Sequence, residues 1–174
     1  MVLTKSELAK KIFSTCYLKG DFLLRSGLRS KEYFDKYSME SSPELLAEVA
    51  RHLIPLIPKE TELLASLEMG GIPLGTALSL QTNLPVCFVR KKAKQYGTMK
   101  ICEGSPIEGK NLCLIEDVIT TGGQVVQSAK ELRKGGAFVS NVLCVIFRGE
   151  KLQTLEKENL RLFYLFGKEE LTHS

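Results

Sequence analysis

The chain reads as an α/β domain built on a mostly parallel central sheet flanked by helices. Three observations predict this. From residue 62 onward, short apolar runs alternate with segments of helical pattern: ELLASL, LGTALSLQ, LPVCFV, NLCLIE, GGQVVQSAKELRKGG, AFVSNVLCVIF and RLFYLF. NLCLI is apolar at nearly every position, the pattern of a parallel strand covered on both faces. At 174 residues the chain fits one domain and is long enough to bury a core.

Taken in order, the first helix is expected over about residues 4–18. Thr4 and Glu7 have capping-box spacing, and Leu8, Ile12 and Tyr17 share a face. GDFLLRSGLRSKEYFDKY, aromatic-rich and punctuated by Gly and Ser, suggests short strands and turns. A second helix opens at Ser42 as N-cap, with Pro43 in the first helical position, runs through ELLAEVARHLI and ends at Pro55 and Pro58. ELLASL is a short strand-like run ending at MGGIP, LGTALSLQ a helix and LPVCFV a strand. Residues 91–109 are polar, lysine-rich and irregular, and loops of that length are usually functional. After them NLCLIE is a strand, GGQVVQSAKELRKGG a helix closed by Gly135 and Gly136, AFVSNVLCVIF a long strand and RLFYLF a last apolar run. No repeat or linker divides the chain, and at 174 residues no attached second catalytic domain is expected.

Composition narrows the function classes. With 44% hydrophobic and 25% charged residues the chain is neither disordered nor fibrous. A net charge of +4 suits an ordinary surface or an anionic ligand, without the basic stripe of a nucleic-acid partner. Cys16, Cys87, Cys102, Cys113 and Cys144 are odd in number, scattered and never in a C-x-x-C pair, which argues against a disulfide framework or zinc site and for a reducing cytoplasm. MVLTKSELAKKIF lacks the apolar stretch of a signal peptide, and nothing approaches the ~20 apolar residues that span a bilayer. A cytoplasmic protein with no membrane partner is expected.

The chemistry concentrates in residues 112–124, LCLIEDVITTGGQ. An all-apolar strand delivers two carboxylates, Glu116 and Asp117, to its C-terminal end, where open α/β sheets bind ligands. Val118 and Ile119 lead into Thr120, Thr121, Gly122, Gly123 and Gln124 at the start of a helix. A helix N-terminus offers free N–H groups and the positive end of its dipole to a phosphate, glycines allow close approach, and threonine hydroxyls add donors. Ionised carboxylates are pure acceptors, suited to sugar hydroxyls. The lysine of the ATPase phosphate loop and the G-x-G-x-x-G of dinucleotide folds are both absent. A ribose 5-phosphate site fits; the plainer alternative is an N-capping threonine with a glycine turn and surface acids.

LIEDVITTGGQ resembles the phosphoribosyl-diphosphate signature of type I phosphoribosyltransferases. FVRKKAKQYGT, residues 88–98, is similar to the R-K-x-x-K-x-[HY]-G mobile-loop segment of orotate phosphoribosyltransferases. GDFLLRSGLRSKEYFD resembles that family's G-x-F-x-L-[KR]-S-G-x-x-S-x-x-Y element. With EMGGIPLG at residues 68–75 and Arg148, the resemblance spans about residues 20–150. It implies a type I phosphoribosyltransferase fold with a small N-terminal hood over about residues 1–40, and transfer of phosphoribose to N1 of orotate in pyrimidine synthesis. Purine phosphoribosyltransferases of the same fold share the 116–124 loop, and a non-catalytic phosphoribosyl-diphosphate-sensing regulator that binds RNA or DNA is the other alternative.

Carried over by residue, the resemblance assigns Arg25, Met69, Gly70, Arg90, Lys91, Lys94 and Tyr96 to phosphoribosyl diphosphate, together with Glu116 and Asp117 for the ribose hydroxyls and Val118, Ile119, Thr120, Thr121, Gly122, Gly123 and Gln124 for the 5-phosphate. Tyr33, Phe34, Thr120 and Arg148 fall to orotate, with the Arg148 fork on its carboxylate. Lys94 and Asp117 are the residues expected to carry catalysis. Mg²⁺ is expected chelated by the substrate, through water to Glu116 and Asp117 rather than in a protein cage. The resemblance also implies a homodimer in which loop 91–109 reaches the neighbouring site. The basic run Arg90, Lys91, Lys92 and Lys94 suits a leaving diphosphate on chemical grounds as well, a solvated surface loop being the plainer reading. Two positions depart from the family pattern: Met69-Gly70 stands where many relatives have Tyr-Lys, which leaves the Gly70-Gly71 backbone N–H groups as substitute donors, and Tyr96 stands where some have histidine.

Overall fold

Thr4 opens the first helix as its spacing predicts. Its side chain accepts from Glu7 N–H while the Glu7 carboxylate accepts from Thr4 N–H, and helix α1 runs Lys5–Cys16. The computed structural model describes residues 2–23, 27–91 and 101–171. Strands β1 (Tyr17–Leu23) and β2 (Arg29–Phe34) form a separate antiparallel ribbon, and a short helix α2 (Lys36–Glu40) follows directly. The turns expected through Tyr37 thus end in a helical turn, capped by Asp35, whose carboxylate accepts from Tyr37 N–H at 3.1 Å.

Helix α3 (Pro43–Leu53) starts at Ser42 with proline in its first turn, but the Ser42 side chain makes no cap bond; a 3₁₀ turn, Ile54–Leu56, closes it. Strand β3 (Leu63–Leu67), helix α4 (Gly71–Thr82), β4 (Val86–Val89), β5 (Cys102–Gly104), β6 (Asn111–Ile119), α5 (Gly123–Lys134), β7 (Phe138–Phe147), α6 (Gln153–Glu156) and β8 (Arg161–Gly167) complete the order. The six-stranded sheet runs β5-β4-β3-β6-β7-β8, parallel except for the β4–β5 edge. β5 lies within the stretch expected to be irregular. Its polar, glycine-ended sequence CEG gives no strand pattern; pairing with β4 orders it.

Every residue of β3 is buried, and β6 alternates between two cores. Cys113 and Ile115 face the layer of α1, α3 and α4, whereas Leu112 and Leu114 face α5. All five cysteines are buried, packed as small hydrophobes. No helix among the described residues is long and apolar enough to cross a membrane.

The N-terminal residues are fastened to α3 by a two-way clamp. Leu3 N–H donates to Glu48 Oε1 at 2.6 Å, and the Arg51 guanidinium donates to both Leu3 O at 3.0 Å and Glu48 Oε1 at 2.6 Å. The Arg51 hydrogen bond above all, with Leu3 N–H, holds the Glu48 carboxyl down at about 2, against an ordinary 4.5. A carboxylate with a depressed folded pKa stabilises above its unfolded value and loses that contribution as pH falls through the folded one. Glu48→Gln is therefore expected to cost about 1 kcal/mol near neutral pH, or ~3 °C in melting temperature. The difference from the parent should shrink between about pH 4.5 and 2 in thermal melts; a constant difference across that range would remove Glu48 as its source.

Candidate active site

Strand β6 carries the acidic pair inside its last turn of pairing rather than beyond its end, since β6 continues to Ile119. Cys113 and Ile115 face α4, and Asp117, two positions on, follows them inward, its side chain only 1% exposed. Asp117 Oδ1 accepts from its neighbour Val118 N–H at 2.6 Å, and Glu116 Oε1 accepts from Asp117 N–H at 3.0 Å. Two partners that the sequence did not single out come from α2: the ammonium of Lys36, ion-paired with Asp117 Oδ2, and the buried carboxyl of Glu40. Burial, then hydrogen bonding to Asp117 and the Asp117 charge, pushes Glu116 and Glu40 up. Burial alone would raise Asp117 too, but hydrogen bonds from Glu116, Lys36 and Glu40 outweigh it and hold Asp117 below the usual range. The negative charge of this trio therefore sits on Asp117, facing Lys36.

Past Ile119 the chain turns at Thr120 and Thr121, both exposed, and enters α5 through Gly122. Gly122 has φ +76°, the left-handed region, and a Cβ there would stand 2.9 Å from Leu155 Cδ2; only glycine makes this turn comfortably. No side chain caps α5, so the threonine hydroxyls are not spent on an N-cap: of the plainer reading of TTGG the glycine turn is present and the capping threonine is not. Exposed Gly123 and Gln124 complete a loop whose hydroxyls and first-turn N–H groups are suited to an anion.

Met69 and Gly70 lie at the neighbouring strand end, between β3 and α4. Met69 is exposed and Gly70 is the buried N-cap of α4. The Glu68–Met69 peptide is cis. A Cβ on Gly70 would fall 1.9 Å from Asp117 Oδ2, so the turn and the acid are packed against each other. Gly70→Pro, a direct way to remove the backbone donor, would for that reason also displace Asp117.

Arg90 and Lys91 follow β4. Arg90 N–H donates to Ile101 O at 2.8 Å and its side chain to Glu103 at 3.4 Å, which fastens the segment's two ends; Lys91 N–H donates to Glu68 Oε1 at 2.6 Å and its side chain is exposed. Arg25, Lys92, Lys94 and Tyr96 lie outside the described residues.

Next to β6, strand β7 ends at Phe147, and Arg148 N–H donates to Ile119 O at 2.8 Å, so the arginine stands beside the β6 end. Its guanidinium carbon lies 6.0 Å from the centroid of the Phe34 ring. Tyr33, Phe34 and Arg148 line one cavity of about 510 Å³. Phe13, Tyr17 and Lys168 also line it, and sequence reasoning missed all three. The Phe13–Tyr17 stack at 4.7 Å is an i, i+4 aromatic pair that the pattern of α1 contained; Lys168 had no signal. Thr120, the fourth residue expected at the acceptor, is exposed and is not among the residues that line this cavity; its carbonyl packs against Gly149, where a Cβ would stand 2.3 Å from Thr120 O. Among the described residues no group of three or more His, Cys, Asp or Glu side chains is arranged to hold a metal.

No protein-family model matches the chain. Individual relatives do. An orotate phosphoribosyltransferase of Nocardioides sp. is 50% identical over 141 residues, 81% of this chain and 79% of that protein. That of Methanocaldococcus jannaschii is 38% identical over 157 residues, 90% of this chain and 89% of its own. Among solved structures, the Mycobacterium tuberculosis orotate phosphoribosyltransferase in complex with Fe(III) dicitrate superposes with a TM-score of 0.86 at 26% identity, covering 96% of this chain and 98% of that one. With a parallel sheet of that superposable shape, the acid pair at the end of its central strand, the glycine turn into α5 and relatives of this identity over most of its length, the chain belongs to the orotate phosphoribosyltransferase family.

Proposed function

We propose that the chain transfers phosphoribose from 5-phosphoribosyl-1-diphosphate to N1 of orotate, releasing diphosphate and orotidine 5-monophosphate in pyrimidine synthesis. The observation that carries the acceptor is the wall of Tyr33, Phe34 and Arg148 in one cavity, with Arg148 N–H bonded to Ile119 O just before the 120–124 turn. An aromatic face suits a pyrimidine ring, and the arginine fork suits the carboxylate that distinguishes orotate from a purine. In the reaction the C1–O bond breaks with charge separation. Asp117 and Glu116 hold the ribose hydroxyls, the loop from Val118 and Ile119 through Gln124 holds the 5-phosphate, and the cations after β4, with Arg25, Met69, Gly70 and Tyr96, take the diphosphate.

The donor set fits Mg²⁺ only as a partner of the substrate. Of the Glu116 and Asp117 carboxyl groups Asp117 carries the charge and is committed to Lys36, and Mg²⁺ commonly binds one or two carboxylates plus substrate phosphates. Bound that way it would supply positive charge to the leaving diphosphate. We further read the active form as a homodimer in the cytoplasm, loop 91–109 serving the partner's site.

A spectrophotometric assay with orotate, adenine, hypoxanthine, guanine and xanthine tests this reading. Turnover of orotate alone is expected. Purine turnover would make the chain a purine phosphoribosyltransferase, and diphosphate-substrate binding without turnover, joined to salt-dependent nucleic-acid affinity, would make it a regulator.

A further inference from the structure

Asp117 is held by a residue that neither the acidic pair nor the phosphate loop announces. Lys36 opens α2 and places its ammonium on Asp117 Oδ2, with its head 5.1 Å from the Tyr37 ring centroid. The other Asp117 oxygen takes Val118 N–H, so both carboxylate oxygens are anchored and the plane of the group is fixed. Gly70 provides the room: a Cβ there would lie 1.9 Å from Asp117 Oδ2 and 2.3 Å from its Cγ. Any side chain at position 70 would drive the carboxylate off the place where Lys36 holds it. Glu40, buried on the same short helix, and Glu116 crowd the same spot with further carboxyls. A buried carboxylate among such neighbours needs a cation to stay ionised and oriented.

Location gives the ion pair a second consequence. Lys36 is two residues past Phe34, which lines the acceptor cavity, and Asp117 lies in the central strand. One contact therefore links the wall that receives the base to the acid that receives the sugar.

We propose that Lys36 is a positioning residue for phosphoribosyl transfer, fixing Asp117 as an oriented acceptor for the ribose hydroxyls, with Gly70 as the position kept bare to admit the pair. This depends on the phosphoribosyltransferase reading above, from which it takes the ribose. A lysine that only balanced buried charge would affect folding stability and leave substrate constants alone. A positioning lysine moves the constant for the sugar-bearing substrate.

The experiment starts with the unmodified protein, measuring phosphoribosyl-diphosphate binding by calorimetry and orotate turnover. Binding without orotate turnover overturns the acceptor reading and leaves Lys36 to be judged on binding; no binding overturns both. Lys36→Met is expected to weaken binding and raise the KM for phosphoribosyl diphosphate by about tenfold or more, the scale of a lost charge-assisted hydrogen bond, while KM for orotate changes less than about threefold. Lys36→Arg should return to within about threefold of the parent, since the charge is kept. Because both act through one carboxylate, Lys36→Met should add less than about twofold in an Asp117→Asn background, and Gly70→Ala should mimic Lys36→Met without adding to it. A Lys36→Met enzyme whose KM for phosphoribosyl diphosphate stays within about twofold of the parent, whatever its melting temperature, overturns the proposal, as does full additivity with Asp117→Asn. If Lys36→Met is not recovered folded, Lys36→Gln is judged by the same criteria.

Discussion

Replacing Arg148 by alanine is expected to raise the KM for orotate by one to two orders of magnitude while leaving the KM for phosphoribosyl diphosphate within about threefold. A charge-assisted hydrogen bond contributes ~1.5–3 kcal/mol when its partner is desolvated, and a bidentate fork adds geometric specificity. The fork is pre-placed: Arg148 N–H is fixed to Ile119 O, and the guanidinium lies 6.0 Å from the Phe34 ring centroid. Arg148→Lys should recover only part of the loss, because an ammonium is a point charge that cannot present two parallel donors or stack on the ring. Initial-rate kinetics with each substrate varied in turn decide the matter. Equal rises in both constants, or none for orotate, would take Arg148 out of acceptor recognition. Lys168 lines the same cavity and is the residue to examine in that event.

The parts of this molecule that were legible in its sequence are those where local and tertiary demands coincide. β3 and β6 announce themselves as all-apolar runs because both of their faces are covered. The capping box at Thr4 and Glu7 and the proline at the start of α3 are local signals, and they place α1 and α3 within a residue or two. Gly122 had to be glycine for a backbone reason, so the turn into α5 could be read without its surroundings. Elements fixed by long-range contact left no such mark. β5 is a strand only because β4 lies beside it, and α2 is five residues with too few apolar positions to show a period. The same distinction runs through the site. Glu116 and Asp117 were visible because they are adjacent in the chain, whereas Lys36 and Glu40 reach them across some eighty positions of sequence. Gly70 marked a missing side chain in the sequence, and the structure adds what fills the space: the Asp117 carboxylate.

Lys94→Ala is expected to lower kcat by about two to three orders of magnitude with little change in either KM, the largest kinetic effect of any single substitution considered. In this chemistry the leaving diphosphate gains negative charge as the C1–O bond stretches, and the ribose gains positive charge. A cation aimed at the departing oxygens is worth more in that transition state than in the ground state, so its loss falls on kcat. Lys94 is the third lysine of the RKKAK run that follows β4. Arg90, the first cation of that run, is already engaged with Glu103 at 3.4 Å, and Lys91 lies at the root of the segment with its N–H on Glu68. The Arg90 guanidinium is thereby held at the sheet edge, whereas Lys91 is fixed there by its backbone and keeps its ammonium exposed. Lys91→Ala should accordingly act mainly on the KM for phosphoribosyl diphosphate, by about fivefold, the difference between ground-state and transition-state contacts. Single-turnover measurements separate chemistry from product release. If Lys94→Ala leaves the chemical step near the parent rate, leaving-group stabilisation passes to another cation, and the substrate-borne Mg²⁺ becomes sufficient for it.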